Sequence, residues 1–225
     1  QKLVAPLARI IYNFGEPGCY DAEKDELMRR AFEACGTMSI PWLVVHISRP
    51  LQASLAETER INRDYILRLL DWAHAYGVGI AVENLPVHRG KEDAASMGFL
   101  RTPEALLDFV QSFSDDKVGV CLDVGHALIQ GWDMAGCIDV LGPCLHALHV
   151  HDNNGMEDQH MPPFFGRIPW PEVMRALKRN AYPGDFTYEV CGPMFMRHAP
   201  EALQDEMHAF TVKIGEYLLG VGSQE

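Results

Sequence analysis

Short apolar runs alternate along the chain with longer segments in which apolar residues recur at helical spacing. The short runs predict strands that are buried on both faces of a sheet; they occupy residues 3–11, 43–46, 79–82, 118–122, 145–150 and 186–190. The longer segments predict helices at residues 21–35, 52–76, 103–113, 133–141, 170–180 and 200–219. Thr102 and Gly77 have the residue types that start and end helices. This alternation predicts a parallel sheet with right-handed crossovers.

No linker rich in Pro, Ser or Gly interrupts this alternation, and no low-complexity tract is present. We therefore expect residues 1–225 to form a single domain of the α/β class. A polar loop at residues 86–100 is long enough to act as a lid or a substrate loop.

The composition excludes several classes of function. Of the 225 residues, 48% are apolar and 22% are charged, and the formal net charge is −12. This negative charge argues against nucleic-acid binding through a broad basic surface. No apolar run approaches the ~20 residues of a membrane-spanning helix, and no secretory signal opens the chain. The six cysteines form no C-x-x-C pair, which favours reduced thiols and a cytoplasmic location.

Five predicted strands end in a side chain that can bind a metal ion or move a proton. These residues are His46, Glu83, Asp123, His149 and Glu189. In a parallel α/β barrel the carboxyl ends of the strands converge on one face, where several carboxylates would repel one another and lose their hydration. A divalent cation removes that conflict.

Each of these residues taken alone has a simpler explanation. A single strand-end carboxylate is more often a helix cap or a salt-bridge partner, and a single histidine on an apolar strand is usually a core residue. Their joint occurrence in successive strands predicts a metal site. Oxygen and nitrogen donors without a thiolate favour Mn²⁺ as the cofactor, with Mg²⁺, Co²⁺ and Zn²⁺ as alternatives.

Four short motifs surround these strand ends. They are AVEN at residues 81–84, LDVGH at 122–126, HVHDN at 149–153 and YEV at 188–190. Their order and spacing resemble the xylose isomerase-like TIM barrel superfamily, which includes sugar phosphate isomerases and epimerases and the family 2 abasic-site (AP) endonucleases. Residues 158–163 and 166–170 add to the resemblance, which covers about residues 40–195.

The resemblance implies a TIM (β/α)₈-type barrel. The strand with Glu83 would be its fifth, the strand with Glu189 its eighth, and His46 would close the fourth. Only residues 3–11 remain for a strand before the fourth, so we expect this chain to lack the first two β/α units. Either the chain is a fragment of a complete barrel, or a partner chain covers the gap. Because an incomplete barrel exposes sheet edges, a homo-oligomer is expected.

The resemblance also assigns roles to single residues. It implies that the metal ligands are Glu83, Asp123, His149 and Glu189. A different alignment of the HVHDN motif would select His151 in place of His149. The candidates for substrate binding or for a second metal are His46, His126, His151, Asp158, His160 and Arg89. Arg89 could pair with a carboxylate or phosphate of the ligand.

The function implied is a metal-dependent isomerase or epimerase of sugars or sugar acids, in carbohydrate metabolism. The cation would stabilise an enediolate formed from an α-hydroxycarbonyl substrate, with Glu83 and Glu189 as the acid and base. The alternatives are a dehydratase or lyase on the same barrel, a multi-metal abasic-site endonuclease, and a ligand-binding relative that keeps the metal without turnover. The negative charge, and Leu7 where the endonucleases need a histidine, count against the endonuclease.

Overall fold

Strands and helices alternate along the chain largely as the sequence predicts. The computed structural model describes residues 9–10, 22–87, 94–190, 195 and 199–221. The strands are β1 (Arg9–Ile10), β2 (Trp42–Val45), β3 (Gly79–Glu83), β4 (Val118–Asp123) and β5 (Leu145–His149). The helices are α1 (Ala22–Thr37), α2 (Leu55–Tyr76), α3 (Pro103–Gln111), α4 (Val124–Ile129), α5 (Met134–Leu141), α6 (Trp170–Arg179) and α7 (Glu201–Val221).

The chain divides into two compact units, Gln1–Cys121 and Leu122–Glu225. The first unit contains β1 to β3, α1 to α3 and most of β4. The second unit begins with the last two residues of β4 and contains β5 and α4 to α7. The expectation of a single domain over residues 1–225 stays a prediction.

The sheet of the first unit is parallel, as predicted, and its strands pair in chain order. Val44 of β2 lies opposite Ala81 of β3, and Glu83 at the end of β3 lies opposite Cys121 of β4. Every residue of β3 and β4 is buried. Strands buried along their whole length need apolar residues at every position, which explains why these segments appear in the sequence as unbroken apolar runs.

Helix α2 connects β2 to β3 and is fixed at both ends. The Ser54 hydroxyl accepts a hydrogen bond from the Glu57 N–H, and the Glu57 carboxylate accepts one from the Ser54 N–H. This reciprocal cap starts the helix at Leu55 rather than at the predicted residue 52. Gly77 ends it with a φ of 70°, a left-handed conformation that glycine adopts without steric cost.

The second unit packs its helices around a buried tryptophan. Trp170 begins α6 and is fully buried, and α6 packs against both α5 and α7. Helix α7 buries only one stripe, which includes Ile214 and Leu218, and most side chains of residues 201–210 are exposed. Neither α7 nor any other described helix combines the length and the apolar content that a membrane crossing requires.

Two sequence predictions differ from the structure. Helix α4 was not predicted, because six residues are too few to show a helical pattern of apolar positions. The full strand predicted at residues 186–190 is wrong: the segment forms one parallel bridge, between Val150 and Tyr188, with one backbone hydrogen bond on each side. Of the strand predicted at residues 3–11, only β1 lies within the described residues.

The cysteines of the described residues are free thiols. Cys35, Cys121 and Cys137 are buried, and Cys144 is partly exposed. Burial raises the pKa of Cys137 to about 12, so this thiol stays protonated and unreactive at neutral pH. The three buried cysteines therefore serve as small apolar residues of the core.

A glycine in β3 gives the first testable prediction. Gly79 pairs with Trp42 of β2, and a Cβ at residue 79 would overlap the Trp42 ring. We expect Gly79→Ala to lower the free energy of unfolding by about 1–3 kcal/mol, because the ring must move out of its packed position. Urea denaturation measures this change. Gly98→Ala is the matched control, since the nearest atom to its Cβ, on Leu55, is 4.0 Å away; equal midpoints for both variants would contradict the prediction.

Candidate metal centre

Asp123 stands at the point where β4 changes directly into α4. Its carboxylate is fully buried, and Oδ1 accepts a hydrogen bond from the His126 N–H at 2.8 Å, which caps the helix. Oδ2 lies 3.1 Å from Nε2 of His151 and 3.4 Å from Nδ1 of His126. Gly125 is required here because a Cβ at this residue would overlap the His151 ring. The short helix thus fixes one carboxylate among imidazoles.

Asp123, His149 and Glu189 form the first group of metal-binding side chains in the second unit. Each offers a ligand atom within 4.8 Å of the others. Nδ1 of His149 lies 3.3 Å from Oε2 of Glu189 and 3.9 Å from Oδ2 of Asp123. Two carboxylates and an imidazole with little solvent access fit a divalent cation, because the cation compensates charges that have lost their hydration. His149 is the last residue of β5, and Glu189 follows the bridge at Tyr188.

A second group lies beside the first and contains His126, His151, Asp158 and His160, whose ligand atoms also lie within 4.8 Å of one another. Oδ2 of Asp158 is 3.1 Å from Nε2 of His160 and 3.3 Å from Nε2 of His126. The rings of His151 and His160 stack with centroids 4.1 Å apart. Although burial opposes it, hydrogen bonds from His126 and His160 hold the pKa of Asp158 well below its usual range.

The backbone orients His160 within this group. Its Nδ1 lies 2.8 Å from the carbonyl oxygen of Glu189, which can only accept, so Nδ1 carries the proton. Nε2 on the other side of the ring faces Oδ2 of Asp158, so these two atoms are placed to contact the same cation. His160 has a left-handed backbone with a φ of 48°. Such a conformation in a residue other than glycine is uncommon and is often found at functional sites.

In the first unit, His46 and Glu83 meet at the ends of β2 and β3. Nε2 of His46 lies 2.9 Å from Oε2 of Glu83, whose carboxylate is fully buried. A buried carboxylate requires a compensating positive charge, which an imidazolium or a bound cation supplies. The sequence therefore identified two strand-end residues that the fold brings into contact. Arg89, the remaining candidate, lies outside the described residues.

The sequence analysis missed the role of Asp152. Its fully buried carboxylate accepts hydrogen bonds from the Phe164 N–H at 3.0 Å, the Ile168 N–H at 3.1 Å and the Trp170 indole N–H at 2.8 Å. Asp152 is therefore the anchor of the segment that carries Asp158 and His160. In the sequence, the motif HVHDN only offered His149 and His151 as alternative ligands. The donors that Asp152 binds lie 12 to 18 residues later in the chain, so the motif does not reveal the anchor.

The aromatic pair Phe164 and Phe165 lies at the surface of the second unit, half exposed. The ring of Phe164 is 6.0 Å from that of Tyr217, and the ring of Phe165 is 6.2 Å from that of Phe210. Both contacts are with α7. The glycine that follows the pair, Gly166, has no room for a Cβ, which would overlap the carboxylate of Asp152.

Comparison with known families decides the class of this fold. The sequence matches the family described as xylose isomerase-like TIM barrel over residues 4–212. The chain belongs to the xylose isomerase-like TIM barrel family. Membership confirms the fold class that the motifs implied, while the expected absence of the first two β/α units stays a prediction.

Two relatives of this xylose isomerase-like chain illustrate the similarity in sequence. An uncharacterized protein of Methanocaldococcus jannaschii is 28% identical over 196 residues, which cover 85% of this chain and 64% of that protein. A D-psicose 3-epimerase of Enterocloster bolteae is 33% identical over 85 residues, which cover 38% of this chain and 27% of that enzyme. The chain spans 64% and 51% of the lengths of the two curated relatives that it matches most extensively.

Solved structures show the same barrel. A D-tagatose 3-epimerase-like protein has a TM-score of 0.73 at 23% identity, covering 96% of this chain and 78% of its own. The IolI protein with a bound zinc atom has a TM-score of 0.71 at 18% identity, covering 94% of this chain and 74% of its own. At these identities the similarity establishes the fold alone.

The anchor at Asp152 gives the second prediction. We expect Asp152→Asn to lower the free energy of unfolding by about 2–4 kcal/mol, because the amide cannot accept all the hydrogen bonds of the carboxylate and leaves buried donors unsatisfied. Chemical denaturation measures the change, with Asp205→Asn on the exposed part of α7 as the control. A loss no larger than that of the control would show that Asp152 does not anchor the segment.

Proposed function

We propose that this protein is a divalent-metal-dependent isomerase or epimerase of sugars or sugar acids. The observation that carries the proposal is the convergence of Asp123, His149 and Glu189 within 4.8 Å of one another in the second unit, in a chain of the xylose isomerase-like family. The names of the D-psicose 3-epimerase relative and the D-tagatose 3-epimerase-like structure support a small sugar as the substrate.

Asp123, His149 and Glu189 would hold the metal ion. Glu83 is proposed as the fourth ligand because of its motif and its place at the end of β3. The bound cation would act as a Lewis acid on the adjacent oxygens of an α-hydroxycarbonyl substrate. Carboxylate oxygens with an imidazole nitrogen favour Mn²⁺, with Mg²⁺ and Co²⁺ as alternatives. The zinc bound in the IolI structure keeps Zn²⁺ among these alternatives.

The two glutamates would transfer the proton. One carboxylate takes a proton from the carbon beside the carbonyl, and the other returns a proton. Return to the opposite face of the same carbon produces an epimer, whereas return to the neighbouring carbon converts a ketose into an aldose. Glu189 is 12% exposed and His149 lies beside it, so its carboxylate is fixed in position yet accessible to a small substrate.

Proton exchange tests the role of Glu189. We expect Glu189→Gln to slow the exchange of the substrate C–H with solvent deuterium by about a hundredfold or more, because the amide cannot accept the proton. NMR in D₂O, with a panel of ketoses, keto sugar acids and ketose phosphates and with Mn²⁺ added, measures the rate. Glu206→Gln, exposed on α7, is the control. If Glu189→Gln exchanges at the parental rate, the acid–base role is wrong.

One observation favours a second candidate, a multi-metal phosphoester hydrolase of the abasic-site endonuclease type. The group of His126, His151, Asp158 and His160 offers nitrogen and oxygen donors for a further cation. Such enzymes use several metal ions to stabilise the attacking and leaving oxygens of a phosphate ester. The net charge of −12 opposes binding to a nucleic-acid backbone, which is why this function ranks second.

Metal stoichiometry separates the two candidates. For the isomerase or epimerase we expect one Mn²⁺ per chain, lost in Asp123→Ala and retained in Asp158→Asn, because the second group would then contact substrate rather than metal. Elemental analysis after dialysis against Mn²⁺ or Zn²⁺ measures the content. Two or more ions per chain, with one lost in Asp158→Asn, would instead support the multi-metal hydrolase.

A further inference from the structure

Arg49 is a cation on the loop that follows β2, and a buried asparagine fixes this loop. The side-chain oxygen of Asn62, on α2, accepts a hydrogen bond from the Ser48 N–H at 2.7 Å, and its NH₂ group donates to the Ser48 carbonyl at 2.8 Å. The Arg49 guanidinium donates through Nη1 to the carbonyl oxygen of Pro86 at 3.3 Å. Arg49 therefore connects the loops that follow β2 and β3.

The other edge of the Arg49 guanidinium has no acceptor in the part of the chain that the structure describes. Its Nε and Nη2 atoms are both buried and both unsatisfied there. These two nitrogens are the pair that binds two oxygens of one carboxylate or phosphate side by side. Buried donors without acceptors cost free energy, so this edge is suited to an anionic ligand.

The charges near Arg49 strengthen the case for an anion. Burial, together with the positive charge of Arg101 as the second cause, lowers the pKa of Arg49 to about 10. The guanidinium still carries its charge at neutral pH, so two positive charges lie near each other with one of them largely removed from water. An anion would offset both the lost hydration and the repulsion.

We propose that Arg49 binds an oxyanion of the substrate, a carboxylate or a phosphate, through Nε and Nη2, with Arg101 as a second positive charge. This inference rests on the proposed function and narrows its substrates to sugar acids or sugar phosphates. Arg49 and Pro86 each lie three residues beyond His46 and Glu83 respectively. The anion would therefore bind at the same edge of the sheet as these strand-end residues.

Anion binding is measured first, without turnover. Inorganic phosphate and acetate are titrated into the parent protein, Arg49→Met, Arg49→Lys and the control Arg60→Met, and affinity is followed by calorimetry and by the shift in Tm. Arg60 is exposed and pairs with Asp64. We expect Arg49→Met to weaken binding of the preferred anion about tenfold or more, as the loss of charged hydrogen bonds implies. Arg49→Lys should lose most of the affinity, because an ammonium group cannot offer two parallel N–H donors to the two oxygens of one anion.

The anion-free proteins distinguish a ligand-binding arginine from a structural one. Without added anion, Arg49→Met should unfold at the same or a higher Tm than the parent, because it removes a charge whose two buried donors lack acceptors among the described residues, at the loss of one 3.3 Å hydrogen bond to Pro86. A marked fall in Tm together with unchanged phosphate and acetate affinity would overturn the proposal. Whether phosphate or acetate binds more tightly indicates which anion the site prefers.

Turnover separates the failure of this inference from the failure of the proposed function. With keto sugar acids or ketose phosphates we expect Arg49→Met to raise KM about tenfold or more with a smaller change in kcat, whereas the control Arg60→Met should leave both constants at the parental values. Exchange of neutral ketoses alone, with no effect of Arg49→Met on anion affinity, would overturn the anion site and leave the isomerase or epimerase standing. Anion affinity that depends on Arg49, with no exchange of any sugar by the parent protein, would support the anion site and contradict the proposed function.

Discussion

The buried carboxylate of Asp123 is the group around which the candidate metal centre of the second unit is arranged. One oxygen caps α4, so the carboxylate cannot rotate toward solvent, and the imidazoles of both metal-binding groups surround it. His149 belongs to the first group and His151 to the second, yet each has a nitrogen within 4 Å of Asp123. Because both groups share this charge, a cation in one alters the electrostatic environment of the other.

The segment between Asp152 and Trp170 shows how a loop without regular structure can be held in place. The Asp152 carboxylate accepts hydrogen bonds from the Phe164 and Ile168 N–H groups, an isolated antiparallel bridge pairs the backbones of Asp152 and Met161, and Gly166 allows the close approach of the chain to the carboxylate. The cost of burying the carboxylate is offset by several donors at once. This anchoring allows Asp158 and His160 to keep a defined position although neither lies on a helix or strand.

The strand ends of the first unit carry charges of both signs. Glu83 is a buried carboxylate beside His46, while Arg49 is a partly buried cation on the loop that Asn62 fixes. A substrate with a polar hydroxycarbonyl end and an acidic end would match both, which gives the proposed sugar isomerase or epimerase a basis for choosing among small sugars.

The sequence by itself determined the parallel α/β order, most helix and strand boundaries and the strand-end residues, because burial on both faces and helical spacing leave direct patterns in the chain. It did not reveal α4, the reduction of residues 186–190 to a single bridge, the anchoring role of Asp152 or the burial of the Arg49 Nε and Nη2 atoms. These depend on which backbone donors and acceptors meet after folding, between residues far apart in sequence. The pattern of apolar and polar positions does not encode which of these donors and acceptors pair, so only the tertiary structure decided them.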